Sequence, residues 1–188
     1  MSKSRLNLLT VALFYFGMFG LSVWIDFSER IFRFAPFGPN FWSKNLKDLG
    51  IAVTAAAAVI VVSYLLVRFL PPMRGLGRFL AELLGSLKWT EAFAVAAFSA
   101  LGEEFLFRGV IQHYLGIFPA ALIFGALHTG PGRRFIPWTL FAFLVGLVLG
   151  YVYERTGNLL TSTAAHFLIN FVNLLLLSRW AKEESIKD

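Results

Sequence analysis

The chain has 188 residues, 57% of them hydrophobic and only 15% charged, with a mean hydropathy of +0.69. A soluble domain of this size carries far more polar surface, so the class is integral membrane protein. The absence of cysteine excludes disulfides, thiolate metal sites and a cysteine nucleophile, and the net charge of +6 is dispersed between apolar runs rather than gathered on a nucleic-acid-binding face.

A spanning helix needs about 20 mostly apolar residues. The first candidate runs from Leu6 to Ile25, behind Lys3 and Arg5. Its apolar run is long and aromatic, and no small-x-small cleavage site follows, so it is expected to be a retained anchor rather than a signal peptide. Residues 26–48 mix aromatic and charged side chains with Pro36, Gly38 and Pro39, and are expected to form a loop at the interface. The second span runs from about Gly50 to Leu70 and ends at Pro71-Pro72. Between Met73 and Lys88, Leu76, Phe79, Leu80, Leu83 and Leu84 recur at helical spacing among Arg78, Glu82 and Lys88. That pattern predicts an amphipathic helix on the membrane surface, or else an extension of the next span. The third span runs from about Trp89 to Tyr114. A short fourth, from Phe118 to His128, breaks at Thr129-Gly130-Pro131-Gly132. The fifth covers Phe135 to Tyr153, and the sixth follows Gly157-Asn158 and reaches Trp180.

The expected fold is therefore all-α, a polytopic membrane helix bundle of about six transmembrane helices plus one interfacial amphipathic helix. Six spans put both termini on one side. With the termini inside, the inner segments hold Lys3, Arg5, Arg68, Arg74, Arg78, Lys88, Arg133, Arg134, Arg179, Lys182 and Lys187. The outer segments hold Arg30, Arg33, Lys44, Lys47 and Arg155. Eleven against five follows the positive-inside rule, so both termini are expected to be cytoplasmic.

The third span carries Glu103 and Glu104, with Arg108 one turn on. Charges in hydrocarbon cost kilocalories and usually mark function. Glu104 and Arg108 lie four apart on one helix face and can pair. Glu103 is rotated by about 100° and keeps a free carboxylate. The structural alternative is that all three only lock helices together. Downstream, Phe124-Gly125-Ala126-Leu127-His128 places small residues before a histidine, which is otherwise a cap or interface residue. In the sixth span His166, Asn170 and Asn173 fall at i, i+4 and i+7, one polar stripe that Ser162 and Thr163 extend. Interhelical hydrogen bonding is the plainer use of such a stripe. His113, near the outer end of the third span, reads as interfacial.

Depth separates these alternatives. Glu103 precedes Tyr114 by eleven residues, His128 follows Phe118 by ten, and His166 follows Asn158 by eight. At about 1.5 Å per residue, all three lie roughly 12–17 Å below one surface. A common cavity requires such a shared level. The break after His128 agrees, because irregular backbone at depth lines a wet pocket or is buried in protein. In such a cavity a carboxylate and a histidine can hold and deprotonate a water, while a second histidine and an amide donate to an oxyanion. That is chemistry for hydrolysing an amide bond. Serine catalysis is less attractive: Ser99 lies one turn before Glu103, but no Gly-x-Ser-x-Gly turn is present. Two histidines and a glutamate are legitimate zinc ligands, yet the His-Glu-x-x-His helix is missing, so no cofactor is expected and zinc is not favoured.

At these residues the sequence resembles the CPBP family, the type II CAAX prenyl endopeptidases and their bacterial relatives. Glu103, Glu104 and Arg108 match its Glu-Glu-x-x-x-Arg element, followed by Gly109. Phe124 and His128 match Phe-x-x-x-His, and His166 and Asn170 match His-x-x-x-Asn/Asp. The resemblance covers residues 88–178. Residues 1–87 stand as an amino-terminal two-span region and residues 179–188 as a polar tail. It implies a glutamic-type intramembrane endopeptidase in which Glu103 and His128 activate water, His166 and Asn170 form the oxyanion site, and Glu104 and Arg108 support them. The expected partners are the bilayer and a membrane-associated protein or peptide substrate, with no nucleic acid. The expected location is the bacterial inner membrane. The short amino-terminal half leaves open whether prenylated CAAX proteins are substrates; peptide or bacteriocin maturation, self-immunity and cleavage of carboxy-terminal sorting helices are the bacterial alternatives. Two other classes compete: a non-catalytic adaptor or self-immunity protein on the same fold, and a proton-coupled transporter, which the lack of a repeat disfavours.

Overall fold

The computed structural model describes residues 7–25 and 41–184, and every regular element among them is helical. In chain order these are α1 (Leu8–Ile25), α2 (Phe41–Phe69), α3 (Pro71–Leu84) and α4 (Trp89–Glu104). A π-helical segment (Phe105–Ile111) and the single turn α5 (Gln112–Leu115) continue α4 without a break. Then come α6 (Ile117–Leu127), a 3-10 turn (Arg133–Phe135), α7 (Ile136–Thr156) and α8 (Leu159–Glu184). Helices α1, α2, α7 and α8 are long and apolar enough to cross a membrane, so the protein is a polytopic membrane helix bundle. Much of the apolar surface faces outward, as in Leu13, Phe16, Val61, Leu144 and Tyr151, which suits lipid contact.

Two expectations shift. The second long helix begins at Phe41, inside the segment expected to be an interfacial loop; the rest of that loop, residues 26–40, lies outside the described residues. Polar residues such as Lys44 and Lys47 add helical turns at the interface without lengthening the apolar span. The amphipathic helix starts two residues early, because Pro71 and Pro72 occupy the first positions of α3, where a missing N–H costs nothing. Its buried face is Met73, Leu76, Gly77 and Ala81, while Leu83 is exposed.

Relative directions follow from paired contacts. Asn158 reaches Asp48 and Ser63 reaches Asn173, both separated by 110 residues, so α2 and α8 run parallel. Arg108 donates to the Gly146 carbonyl and Gln112 to the Gly150 carbonyl, both separated by 38, so the α4 rod and α7 run parallel. Helix α6 packs antiparallel on α7: a Cβ on Gly125 would lie 3.0 Å from the Thr139 carbonyl, and one on Gly146 would lie 3.1 Å from Ala121. Small residues at these crossings bring the backbones together, which is how membrane helices associate. On α2, Ala52, Ala56, Val59 and Ser63 form a buried stripe facing the core, which Phe141, Val145 and Leu149 of α7 and Ala165 and Ile169 of α8 complete.

Candidate active site

Three elements supply the polar residues: the α4 rod, the carboxy-terminal end of α6, and the first half of α8. Glu103 and Glu104 end the α-helical part of the rod, where the π segment begins. Such a widened turn is rare and frequent at functional sites. Both carboxylates are buried, as are Arg108 and His166.

The two glutamates have different surroundings. Glu104 Oε1 lies 3.0 Å from Arg108 Nη1 and 2.8 Å from His166 Nδ1. Arg108 also donates through Nη2 to the Gly146 carbonyl at 3.0 Å and lies over the Phe124 ring at 5.1 Å. Glu104 is thus the hub of a buried array joining the rod to α7 and α8. Glu103 Oε2 has no hydrogen-bond partner among the described residues, and neither does Glu104 Oε2. Glu103 Oε2 lies 3.7 Å from His128 Nε2 and 3.8 Å from His166 Nε2, beyond direct hydrogen-bond reach and within the span of one bridging water.

The ring orientations are fixed by their other nitrogens. His128 caps α6, and its Nδ1 lies 2.7 Å from the Phe124 carbonyl. A carbonyl only accepts, so Nδ1 carries the hydrogen and, in the neutral ring, Nε2 turns a lone pair toward Glu103. The His128 ring stacks on Phe124, and its carbonyl accepts from Thr139 Oγ1 at 3.0 Å, which holds the helix break in place. His166 spends Nδ1–H on Glu104, so its Nε2 is a donor in the charged ring and an acceptor in the neutral one. Asn170 donates through Nδ2 to Ser99 Oγ at 3.0 Å, and the second Nδ2 hydrogen stays free of that bond.

These side chains border one cavity of about 240 Å³, lined among others by Tyr15, Ser99, Glu103, His128, Trp138, His166, Asn170 and Asn173. The structure therefore brings Glu103, His128, His166 and Asn170 together, with Glu104 and Arg108 directly behind them. His113 is exposed at the far end of the rod and packs on Tyr114. Among the described residues, no three His, Cys, Asp or Glu side chains converge as a metal-ligand set.

Three participants escape a reading of the sequence. Tyr15 comes from α1, outside the motif region, and lines the cavity with its side chain close to Glu103. Gly102 makes this approach feasible, since a Cβ there would lie 2.7 Å from the Tyr15 carbonyl. Trp138 closes one wall, 6.1 Å from the His128 ring. Ser99, considered as a nucleophile, instead accepts from Asn170. Only a tyrosine inside an apolar run and a serine one turn before Glu103 hinted at two of these.

A helical membrane bundle with a buried glutamate–histidine cluster beside a half-length helix is the class this geometry defines. Residues 85–172 match the family described as type II CAAX prenyl endopeptidase Rce1-like, and that stretch is a domain of this family. The chain is also 45% identical over 75 residues to the uncharacterized protein YpbD of Bacillus subtilis (strain 168). That match takes in 39% of this chain and 38% of YpbD, well under half the length of the relative. No solved structure matches.

Proposed function

We propose that the protein is an intramembrane endopeptidase that hydrolyses a peptide bond in a membrane-associated protein or peptide, using a water activated by Glu103 and His128. One observation carries this reading. The buried Glu103 Oε2, with no protein partner, faces the Nε2 atoms of two histidines across gaps of 3.7 and 3.8 Å in a cavity. Glu104, by contrast, meets Arg108 and His166 through Oε1 and takes no part in the cavity wall.

A water between Glu103 and His128 meets two acceptors and can donate to both. As its oxygen attacks the carbonyl carbon, its proton passes to Glu103. The negative charge that develops on the carbonyl oxygen meets the free Nδ2 hydrogen of Asn170 and, in the charged ring, the Nε2 hydrogen of His166. Glu104 holds that ring in place and balances its charge, while Arg108 balances Glu104. Collapse of the tetrahedral intermediate breaks the C–N bond, and Glu103 returns its proton to the leaving amine.

The reading extends to topology. With α4 and α7 running outward, α1 joins them and α2, α6 and α8 run inward, six crossings with both termini cytoplasmic. Helix α6 spans about 16 Å at 1.5 Å per residue, half a bilayer, and residues 128–135 complete the path down to α3, where Phe135 packs on Phe79. The bacterial inner (plasma) membrane is the proposed location.

The test uses purified full-length protein in liposomes, given detergent-extracted bacterial membrane proteins, with new amino termini read by mass spectrometry. Wild type is expected to generate them and Glu103→Ala to generate none while inserting and folding normally. Equal cleavage by Glu103→Ala overturns the proposal, and an inactive wild type favours the non-catalytic adaptor or self-immunity protein. Stoichiometric zinc in elemental analysis of active protein would overturn the metal-free mechanism.

A further inference from the structure

Ser99 sits on α4 one turn before Glu103, is 3% exposed and borders the catalytic cavity, yet nothing in the proposed hydrolysis uses it. Its hydroxyl carries one hydrogen and two lone pairs. The Ala96 carbonyl lies 3.2 Å from Oγ, and a carbonyl only accepts, so the hydrogen points there. Back-bonding of this kind is the ordinary habit of a serine inside a helix. The second contact is not. Asn170 of α8 comes within 3.0 Å of the same oxygen. An oxygen whose hydrogen is committed elsewhere can only accept, so the Asn170 amide presents Nδ2 to it and turns Oδ1 away.

That choice matters because the terminal torsion of asparagine is roughly two-fold, and the amide by itself takes either orientation. Resting on the endopeptidase reading, we infer that Ser99 is a positioning residue for the oxyanion site, fixing which end of the Asn170 amide faces the reacting carbonyl. The hydrogen proposed to meet the oxyanion sits on the nitrogen that Ser99 binds. In the reversed amide Oδ1 would take that place, and an acceptor would meet the developing negative charge. To receive the reversed amide, Ser99 would have to swing its hydrogen off the Ala96 carbonyl and lose that bond. Alanine would fill the same space and favour neither orientation. His166 is held in a similar way, since its Nδ1 lies 2.8 Å from Glu104, five residues after Ser99 on the same rod. Helix α4 thus sets the direction of both donors that α8 offers. Donors aimed in advance stabilise an oxyanion without rearrangement at the moment of reaction.

The experiment measures kcat and KM on full-length protein in liposomes, with a synthetic peptide spanning a cleavage site that wild type produces in the extracted membrane proteins. Loss of the hold should cost more than the roughly 2-fold of a free choice between two orientations and less than the roughly 10²–10³-fold of losing the donor. Ser99→Ala is therefore expected to lower kcat about 10-fold, with KM and unfolding midpoint near wild type. Ser99→Thr keeps the hydroxyl and should recover most of that loss. In protein already carrying Asn170→Ala, adding Ser99→Ala should change kcat by less than about 2-fold, because a residue that acts through another has no effect once its partner is gone. Wild-type kcat in Ser99→Ala overturns the inference, as does a Ser99→Thr protein as slow as Ser99→Ala. Equal slowing by Ser99→Ala with and without Asn170 also overturns it, by giving Ser99 a role of its own. No cleavage by wild type overturns the endopeptidase reading and this inference with it.

Discussion

The two sides of the buried cluster are built differently. On the α7 side, Glu104 meets Arg108 and His166 at hydrogen-bond distance, and Arg108 is held in turn by the Gly146 carbonyl. On the cavity side, Glu103 Oε2 is unpartnered among the described residues, His128 is about a quarter exposed (24%), and Asn170 has an N–H outside its bond to Ser99. Neighbouring carboxylates on one helix thus meet different surroundings: Glu104 Oε1 holds Arg108 and His166, whereas Glu103 faces the cavity. The difference teaches that the buried ion pairing in this bundle is carried by one glutamate, while the other stays outside it. In the proposed function, stability belongs to the first side and chemistry to the second.

Four substitutions probe that division, in order of expected effect. His128→Ala removes the acceptor proposed to share the water with Glu103 and should lower kcat by about 10²–10⁴ with little change in thermal stability. A parallel loss of stability would move His128 to the structural side. Arg108→Ala leaves Glu104 buried without its guanidinium and should cost about 3–5 kcal/mol of stability in detergent, read from unfolding midpoints. An unchanged midpoint would break the assignment of the α7 side. Asn170→Ala removes the proposed oxyanion donor and should reduce kcat about 10²–10³-fold with KM nearly unchanged. Tyr15→Phe removes the hydroxyl beside Glu103 and should slow cleavage by less than about 10-fold. A larger loss would draw α1 into the chemistry itself.

Much of the cluster was legible because helical phase and depth are properties of a single chain. The i, i+4 relation of Glu104 and Arg108 and the common level of Glu103, His128 and His166 needed only residue counting. The contact between Glu104 and His166 was not legible, since it joins residues 62 apart and depends on how α8 rotates against the rod. Phase fixed the face on which Asn170 lies but not its partner, Ser99. The π segment was equally hidden: Phe105–Ile111 has no residue that breaks an α-helix apart from Gly109. Tyr15 was missed because an apolar helix near the chain start reads as an anchor, and its docking depends on Gly102 of another helix. The early start of α2 was missed because polar interfacial turns extend a helix without extending its apolar run.

The cysteine-free sequence permits a clean check of orientation. Lys88→Cys should react with an impermeant maleimide only from the cytoplasmic face of oriented vesicles, and Arg155→Cys only from the outer face. Labelling of both from one face would break the alternation of crossings and with it the shared depth of the cluster.

The adjacent glutamates give the most direct measurement: cleavage and unfolding midpoint, determined together on Glu103→Gln and Glu104→Gln. Glu103→Gln is predicted to keep the wild-type midpoint and lose cleavage. Glu104→Gln is predicted to lower the midpoint, because it removes the charge that holds Arg108 and His166. A Glu103→Gln protein that still cleaves at the wild-type rate, or a Glu104→Gln protein with full stability, contradicts the account.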